Sequence, residues 1–368
     1  MQKYILILIL AYIPGLIYSQ NSQPEQKRGI KYYDHNFFLI EGTTFGDSVK
    51  ESLYDRFPLS YKDKVRGPVW SLSRNSAGIS IRFSSNSTSV RVRWELLNDA
   101  RMNHMAETGI KGIDLYFRND NNWQYVNTAR PAGKVNEFLL ISNLTSDWRE
   151  YKMYLPLYDG VTKLEIGIDS LSSIRKPSKS NQKPIVFYGT SITQGGCASR
   201  PGMVHTSIIS RKIDVDCINF GFSGNGRMEK PVAELISGID ALFYVLDGTN
   251  NMTPEEINQN AIPLVEIIRS KHPVTPIVFV EGLMGETSYL DETNRNTMYA
   301  KNAMLKSEYK KMIDKGFSNI YYIESSGGKG TDHEGTVDGV HLTDLGFSRY
   351  ADFLIKKFKR LRLPVSVK

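Results

Sequence analysis

The segment Pro184-Ile185-Val186-Phe187-Tyr188-Gly189-Thr190-Ser191-Ile192-Thr193-Gln194-Gly195 decides how the second half of the chain is read. Ile185 to Tyr188 offers no charged or amide position, the pattern of a strand covered on both faces. Gly189 and Thr190 break the run. Ser191 then falls where a strand ends and a helix begins, so its hydroxyl and the following backbone N–H groups can face a ligand. Four more apolar runs follow, at 217–220, 241–246, 276–280 and 320–323. Helical patterns lie near 202–212, 228–238, 254–271, 292–315 and 343–361. Strands alternating with helices in this way predict an α/β fold over 184–365, an α/β/α sandwich built on a doubly wound parallel sheet. Ligands of such sheets bind at the carboxyl ends of the strands.

Upstream the texture changes. Residues 173–183 are rich in Ser, Lys and Pro with little to bury, and read as a linker. Before them, 30–172 carries short alternating segments such as Ile79-Ser80-Ile81-Arg82-Phe83, Val90-Arg91-Val92-Arg93-Trp94, Ile113-Asp114-Leu115-Tyr116-Phe117 and Leu164-Glu165-Ile166. Turn formers such as Asn119-Asp120-Asn121-Asn122 separate them, so this half is expected to be all-β, a jelly-roll-like β-sandwich. Asp114 and Tyr116 are read as structural there.

Bulk properties narrow the function. Residues 1–19 show an early lysine, a short apolar core, Pro14-Gly15 and Ser19 at a plausible cut site, the layout of a signal peptide. Export to the periplasm or the exterior is therefore expected. The apolar run falls short of the roughly 20 residues a span needs, so no transmembrane segment is expected in the mature chain. The formal charge of +7 is spread among acids except at 356–362, which reads as the solvated face of a last helix, and no nucleic-acid partner is expected. Two cysteines, Cys197 and Cys217, cannot make a disulfide framework and are expected to be free thiols. Cys and His show no metal-ligand spacing, so neither metal nor cofactor is expected, and His333 reads as a polar loop residue.

The chemistry lies in four blocks at strand ends. Far downstream of Gly189-Thr190-Ser191 stands Asp338-Gly339-Val340-His341, where one turn of chain brings a carboxylate against an imidazole. Ser191 supplies a nucleophile, His341 a base to take its proton, and Asp338 an acid that orients the imidazole and stabilises its charged form. Asn219-Phe220-Gly221-Phe222-Ser223-Gly224-Asn225-Gly226 and Asp247-Gly248-Thr249-Asn250-Asn251-Met252 lie between them. Singly, each block has an ordinary reading, Ser191 as a helix cap or Asn219 and Gly224 as turn formers. Together they specify acyl transfer through a serine ester. Arg200 is a candidate for contacting substrate oxygens, with a salt bridge as the alternative. A Gly-x-Ser-x-Gly elbow is absent because position 193 is Thr, and Ser326–Thr331 lacks phosphate-loop spacing.

Serine, glycine, asparagine and histidine in this order make the chain resemble the SGNH (GDSL-type) hydrolases, with Thr190 where the usual aspartate stands. Gly112-Ile113-Asp114-Leu115-Tyr116, joined to the Ser191 block, is similar to the bacterial group with an N-terminal Gly-x-Asp-Leu-Tyr domain. That resemblance implies an oxyanion hole made by the backbone N–H groups of Ser191 and Gly224 and an asparagine side chain, Asn251 or, on a gap-free match, Asn250. It also implies removal of acyl groups, acetyl foremost, from a polysaccharide or oligosaccharide. The alternatives are a lipase or lysophospholipase on the same residues, and a glycan-binding protein without activity.

Overall fold

The computed structural model describes residues 29–365, so segment 1–19, read above as a signal peptide, lies outside the described residues. In the second half the five apolar runs form one parallel sheet. Its order is β12 (Cys217–Gly221), β11 (Ile185–Gly189), β13 (Phe243–Asp247), β14 (Ile277–Val280) and β15 (Ile320–Ile323). The chain leaves β11 for one neighbour, β12, and later returns to the other side as β13. The carboxyl end of β11 is therefore the switch point where a crevice opens, and Ser191 lies two residues beyond that strand.

Both faces of the sheet are covered, which is why its strands carry no polar alternation. Ile185 and Phe187 point to one side with α4 (His205–Ile213) and α8 (Asp344–Arg360). Val186 and Tyr188 point to the other with α5 (Lys230–Ile236), α6 (Pro254–Lys271) and α7 (Glu292–Asp314). The start of α6 is set locally: Thr253 accepts from the Glu256 N–H while the Glu256 carboxylate accepts from the Thr253 N–H, with Pro254 in the first turn. Among the described residues no helix is long and apolar enough to cross a membrane.

The first half is a two-sheet antiparallel sandwich. One sheet orders β1 (Ile30–Tyr33), β9 (Val161–Asp169), β4 (Val90–Leu96) and β7 (Val135–Ile141). The other orders β10 (Ile174–Arg175), β3 (Ser80–Ser85), β8 (Arg149–Tyr154), β5 (Ile113–Asn119) and β6 (Asn122–Ala129), with β2 (Leu39–Glu41) also on β3. The segment read as a linker thus begins as a strand: Ile174 and Arg175 pair with Ser85 and Ser84, and the Arg175 guanidinium lies 3.7 Å from the Trp148 ring centre. A two-residue strand held by one stacking contact carries too little pattern to be read from sequence.

The halves share their cores. Ala77, Met105, Leu157, Tyr158 and Ile110 of α2 (Glu107–Ile110) pack in the same cluster as Phe187 and Phe347. Phe57, Val65 and Val69 of α1 (Gly67–Ser73) complete the cluster on the other face. Between them Arg56 is fully buried and donates to four main-chain carbonyls: Nε to Asn75 (2.9 Å), Nη2 to Leu72 (2.6 Å), and Nη1 to Asn219 (3.1 Å) and Gly221 (2.7 Å). Burial pulls its guanidinium down to about 9, so it stays cationic at neutral pH, in contact with the Phe222 ring.

Candidate active site

Ser191 opens the four-residue helix α3 (Ser191–Gln194) directly after β11. Thr190 caps that helix by accepting from the Ile192 N–H, and Gly195 ends it in a left-handed conformation. Asp338 and His341 sit on a tight hairpin. Thr336 bridges Leu342, and the Val337 N–H donates to the His341 carbonyl at 2.8 Å. The hairpin aims the imidazole at the helix. His341 Nε2 lies 2.8 Å from Ser191 Oγ, and Nδ1 lies 2.7 Å from Asp338 Oδ2. Asp338 Oδ1 accepts from the N–H groups of Val340 (3.0 Å) and His341 (2.8 Å). Partial burial opposes the charge on Asp338, but the hydrogen bonds from the His341 ring and these two N–H groups outweigh it and hold the carboxyl at about 2. It is a carboxylate throughout the physiological range.

The glycine block approaches from β12. Gly224 has φ of +67°, the left-handed region that favours glycine, and a Cβ on Gly226 would lie 2.0 Å from the Gly189 carbonyl oxygen. These two glycines let the loop lie directly against the strand end bearing Ser191. Two side chains fasten it. Asn219 Nδ2 donates to the Thr193 carbonyl (2.6 Å), and Gln194 Oε1 accepts from the Ser223 N–H (3.0 Å) while its Nε2 donates to the Leu157 carbonyl (3.1 Å).

The two asparagines diverge. Asn250 Nδ2 donates to the Leu283 carbonyl at 2.9 Å, bracing the loop after β14. The Asn251 amide instead meets the glycine block. In the orientation that satisfies both ends of the amide, its oxygen accepts from the N–H groups of Gly224 (3.0 Å) and Asn225 (3.3 Å) and its NH2 turns to acceptors.

Arg200 does not have a free guanidinium to offer a substrate. Its Nη1 donates to Asp114 Oδ2 (2.7 Å) and Tyr116 OH (2.6 Å), Nη2 meets Met203 Sδ, and the Tyr125 ring centre is 3.8 Å away. Asp114 is fully buried and also accepts from the Thr128 hydroxyl (2.7 Å) and the Gly202 N–H (2.8 Å). Burial pushes its carboxyl up, and these partners draw it back. The salt bridge is therefore the alternative realised: Arg200 ties the loop after α3 to the sandwich. Arg200→Ala strands a buried carboxylate and is expected to cost about 3 kcal/mol in urea unfolding with little change in KM. A raised KM at unchanged stability would restore the substrate contact instead.

Other residues came together without a sequence signal. Tyr158 of the sandwich half donates its hydroxyl to the Ser191 carbonyl (3.4 Å), and Asp344, at the start of α8, accepts from the Ser199 N–H (2.9 Å) and hydroxyl. The His104 ring stands 5.8 Å from that of His341. Cys197 and Cys217 are both free and buried. Burial and the Asp338 charge push the Cys197 thiol up to about 12. His333 hydrogen-bonds Glu286 at 2.9 Å.

Residues 182–359 match the GDSL-like lipase/acylhydrolase family, and residues 30–174 match the GxDLY family, described as the N-terminus of the SGNH hydrolase-type esterases. No curated protein matches the chain. Among solved structures, a protein assigned as a GDSL-like lipase from Bacteroides ovatus is 34% identical, with a TM-score of 0.88 over 92% of this chain and 100% of that one. A salicylyl-acyltransferase from a tetracycline biosynthetic pathway is 16% identical, with a TM-score of 0.77 over 92% of this chain and 99% of the other. An acetyl xylan esterase from the rumen bacterium Butyrivibrio proteoclasticus is 10% identical, with a TM-score of 0.57 over 90% and 98%. The last two likenesses concern the fold alone.

Proposed function

The chain belongs to the GDSL-like lipase/acylhydrolase family and is a carboxylic ester hydrolase, and from that premise we propose that it removes O-acetyl groups from an exported or external polysaccharide through a Ser191 acyl-enzyme. The observation that carries the reading is the unbroken relay Asp338–His341–Ser191, with hydrogen bonds of 2.7 and 2.8 Å, beside Gly224 and the Asn251 amide.

In this reading Ser191 Oγ attacks the ester carbonyl as His341 Nε2 takes its proton. The N–H groups of Ser191 and Gly224 and the Asn251 amide receive the oxyanion. Collapse breaks the bond to the sugar oxygen, which leaves with the proton from His341. A water molecule then repeats the sequence on the acyl-enzyme and frees acetate.

Support for a carbohydrate comes from three sides. The sequence carries a signal-peptide pattern, and an acetyl xylan esterase is among the proteins sharing the fold. The side chains of His341 and Asp338 are 22% and 32% exposed, so an ester borne on a bulky polymer can reach Ser191 without threading into the protein. The test is acetate release from acetylated xylan and other acetylated polysaccharides, set against a chain-length series of 4-nitrophenyl esters. Acetate is expected to exceed octanoate by about tenfold or more in kcat/KM, the order that a few methylenes can decide. A preference rising with chain length would turn the reading to a lipase, and a protein inert to all of them would sink it.

A further inference from the structure

We propose that His104, Cys197, Asp338 and His341 form an inhibitory site for a borderline-soft divalent cation of the zinc type, whose binding takes His341 out of the relay. One donor atom from each of the four lies within 4.8 Å of the others. A tetrahedral zinc site with bonds of about 2.0–2.3 Å spaces its ligand atoms roughly 3.3–3.8 Å apart, so shifts of about an ångström close the cage. Two imidazoles, a thiolate and one carboxylate are donors suited to zinc; magnesium and calcium demand oxygen.

Each ligand is presented from a different direction. His104 comes from the sandwich half, in the loop before α2. Its Nδ1 lies 3.1 Å from Asn103 Oδ1, an acceptor only, so Nδ1 carries the proton and Nε2 keeps a free lone pair. Cys197 is buried in the turn after α3, with φ of +71°. Asp338 and His341 come from the hairpin. The acyl-transfer relay has no task for His104 or for Cys197, yet both are gathered on its histidine.

Coordination through either nitrogen of His341 stops the relay. Nε2 holds the lone pair that accepts the Ser191 proton, and Nδ1 makes the bond to Asp338. Binding releases the Cys197 thiol proton to solvent; when Nδ1 of His341 is the ligand, its proton moves to Nε2 and removes the lone pair that faces Ser191, and no electron is transferred.

The experiment has two arms. In the first, chelator-treated wild-type protein hydrolysing 4-nitrophenyl acetate is titrated with zinc chloride. Activity is expected to fall by about tenfold or more and to return with EDTA, while magnesium and calcium chlorides have no effect. His104→Ala should leave basal activity unchanged and raise the half-inhibiting zinc concentration by about 10-fold to 100-fold. This arm rests on the relay proposed above. The second arm does not: cobalt(II) added to the Ser191→Ala protein is expected to give a thiolate-to-metal charge-transfer absorption, absent when Cys197→Ser is added. If cobalt gives no such absorption, or if zinc inhibits wild type and His104→Ala alike, the site is overturned. A protein with no esterase activity but a cobalt band sensitive to Cys197 would fail the relay and keep the site.

Discussion

Ser191→Ala is expected to lower kcat for acetyl-ester hydrolysis by about ten-thousand-fold to a million-fold, with circular dichroism and thermal unfolding unchanged. The side chain ends in a hydroxyl 2.8 Å from the His341 imidazole, so removing one oxygen atom leaves no buried unpaired charge. All of the loss should be chemical. His341→Ala should cost a similar factor, and the double variant little more than either, because the two groups act in one proton transfer. Single-turnover measurement with 4-nitrophenyl acetate checks this. An alanine variant that still formed an acyl-enzyme would move the nucleophile elsewhere.

The second large effect belongs to Asn251. Its amide is the side-chain group that meets the Gly224 N–H, and Asn251→Ala should lower kcat by about 100-fold to 1000-fold while KM hardly moves. The reason is geometric: a tetrahedral oxyanion lies closer to such donors than the planar carbonyl does, so the contact strengthens only on the way to the transition state. Asn250→Ala makes the opposite comparison. It removes a hydrogen bond to Leu283 and should cost about 1 kcal/mol of stability, with kcat nearly intact. Reversed outcomes would exchange the two assignments.

Those two asparagines also mark how far the sequence could be read. The parallel sheet and its helices were legible because continuous apolar runs and 3.6-residue patterns persist over long windows. The helix expected at 254–271 is observed at Pro254–Lys271, where a proline and a capping box mark its start. The short turn Thr249–Asn251 has no such periodicity, and one residue of register decides which amide faces Gly224. In the sandwich the pattern gave the character of the half but passed over strands such as Arg149–Tyr154, whose residues are mixed in polarity and hold their place by pairing with both β3 and β5. Arg200 was legible as a residue with a task but not as to which, since its partner Asp114 lies 86 positions away. His104 gave no signal at all, because its neighbours in the fold lie in the other half of the chain.

Arg56 bears on how such a protein can be altered by recombination. Its guanidinium comes from the sandwich half, yet two of the four carbonyls it satisfies belong to β12, the strand that leads into the glycine block. Residues 184–365 excised as a cassette would leave those carbonyls bare and strip Phe57, Leu157 and Tyr158 from both faces of the sheet. The unit of inheritance is then the pair of halves. A chimera that trades sandwiches between relatives must carry across the arginine, its aromatic neighbours and the Asp114–Arg200 tie together, or the catalytic half loses the support beneath its nucleophile.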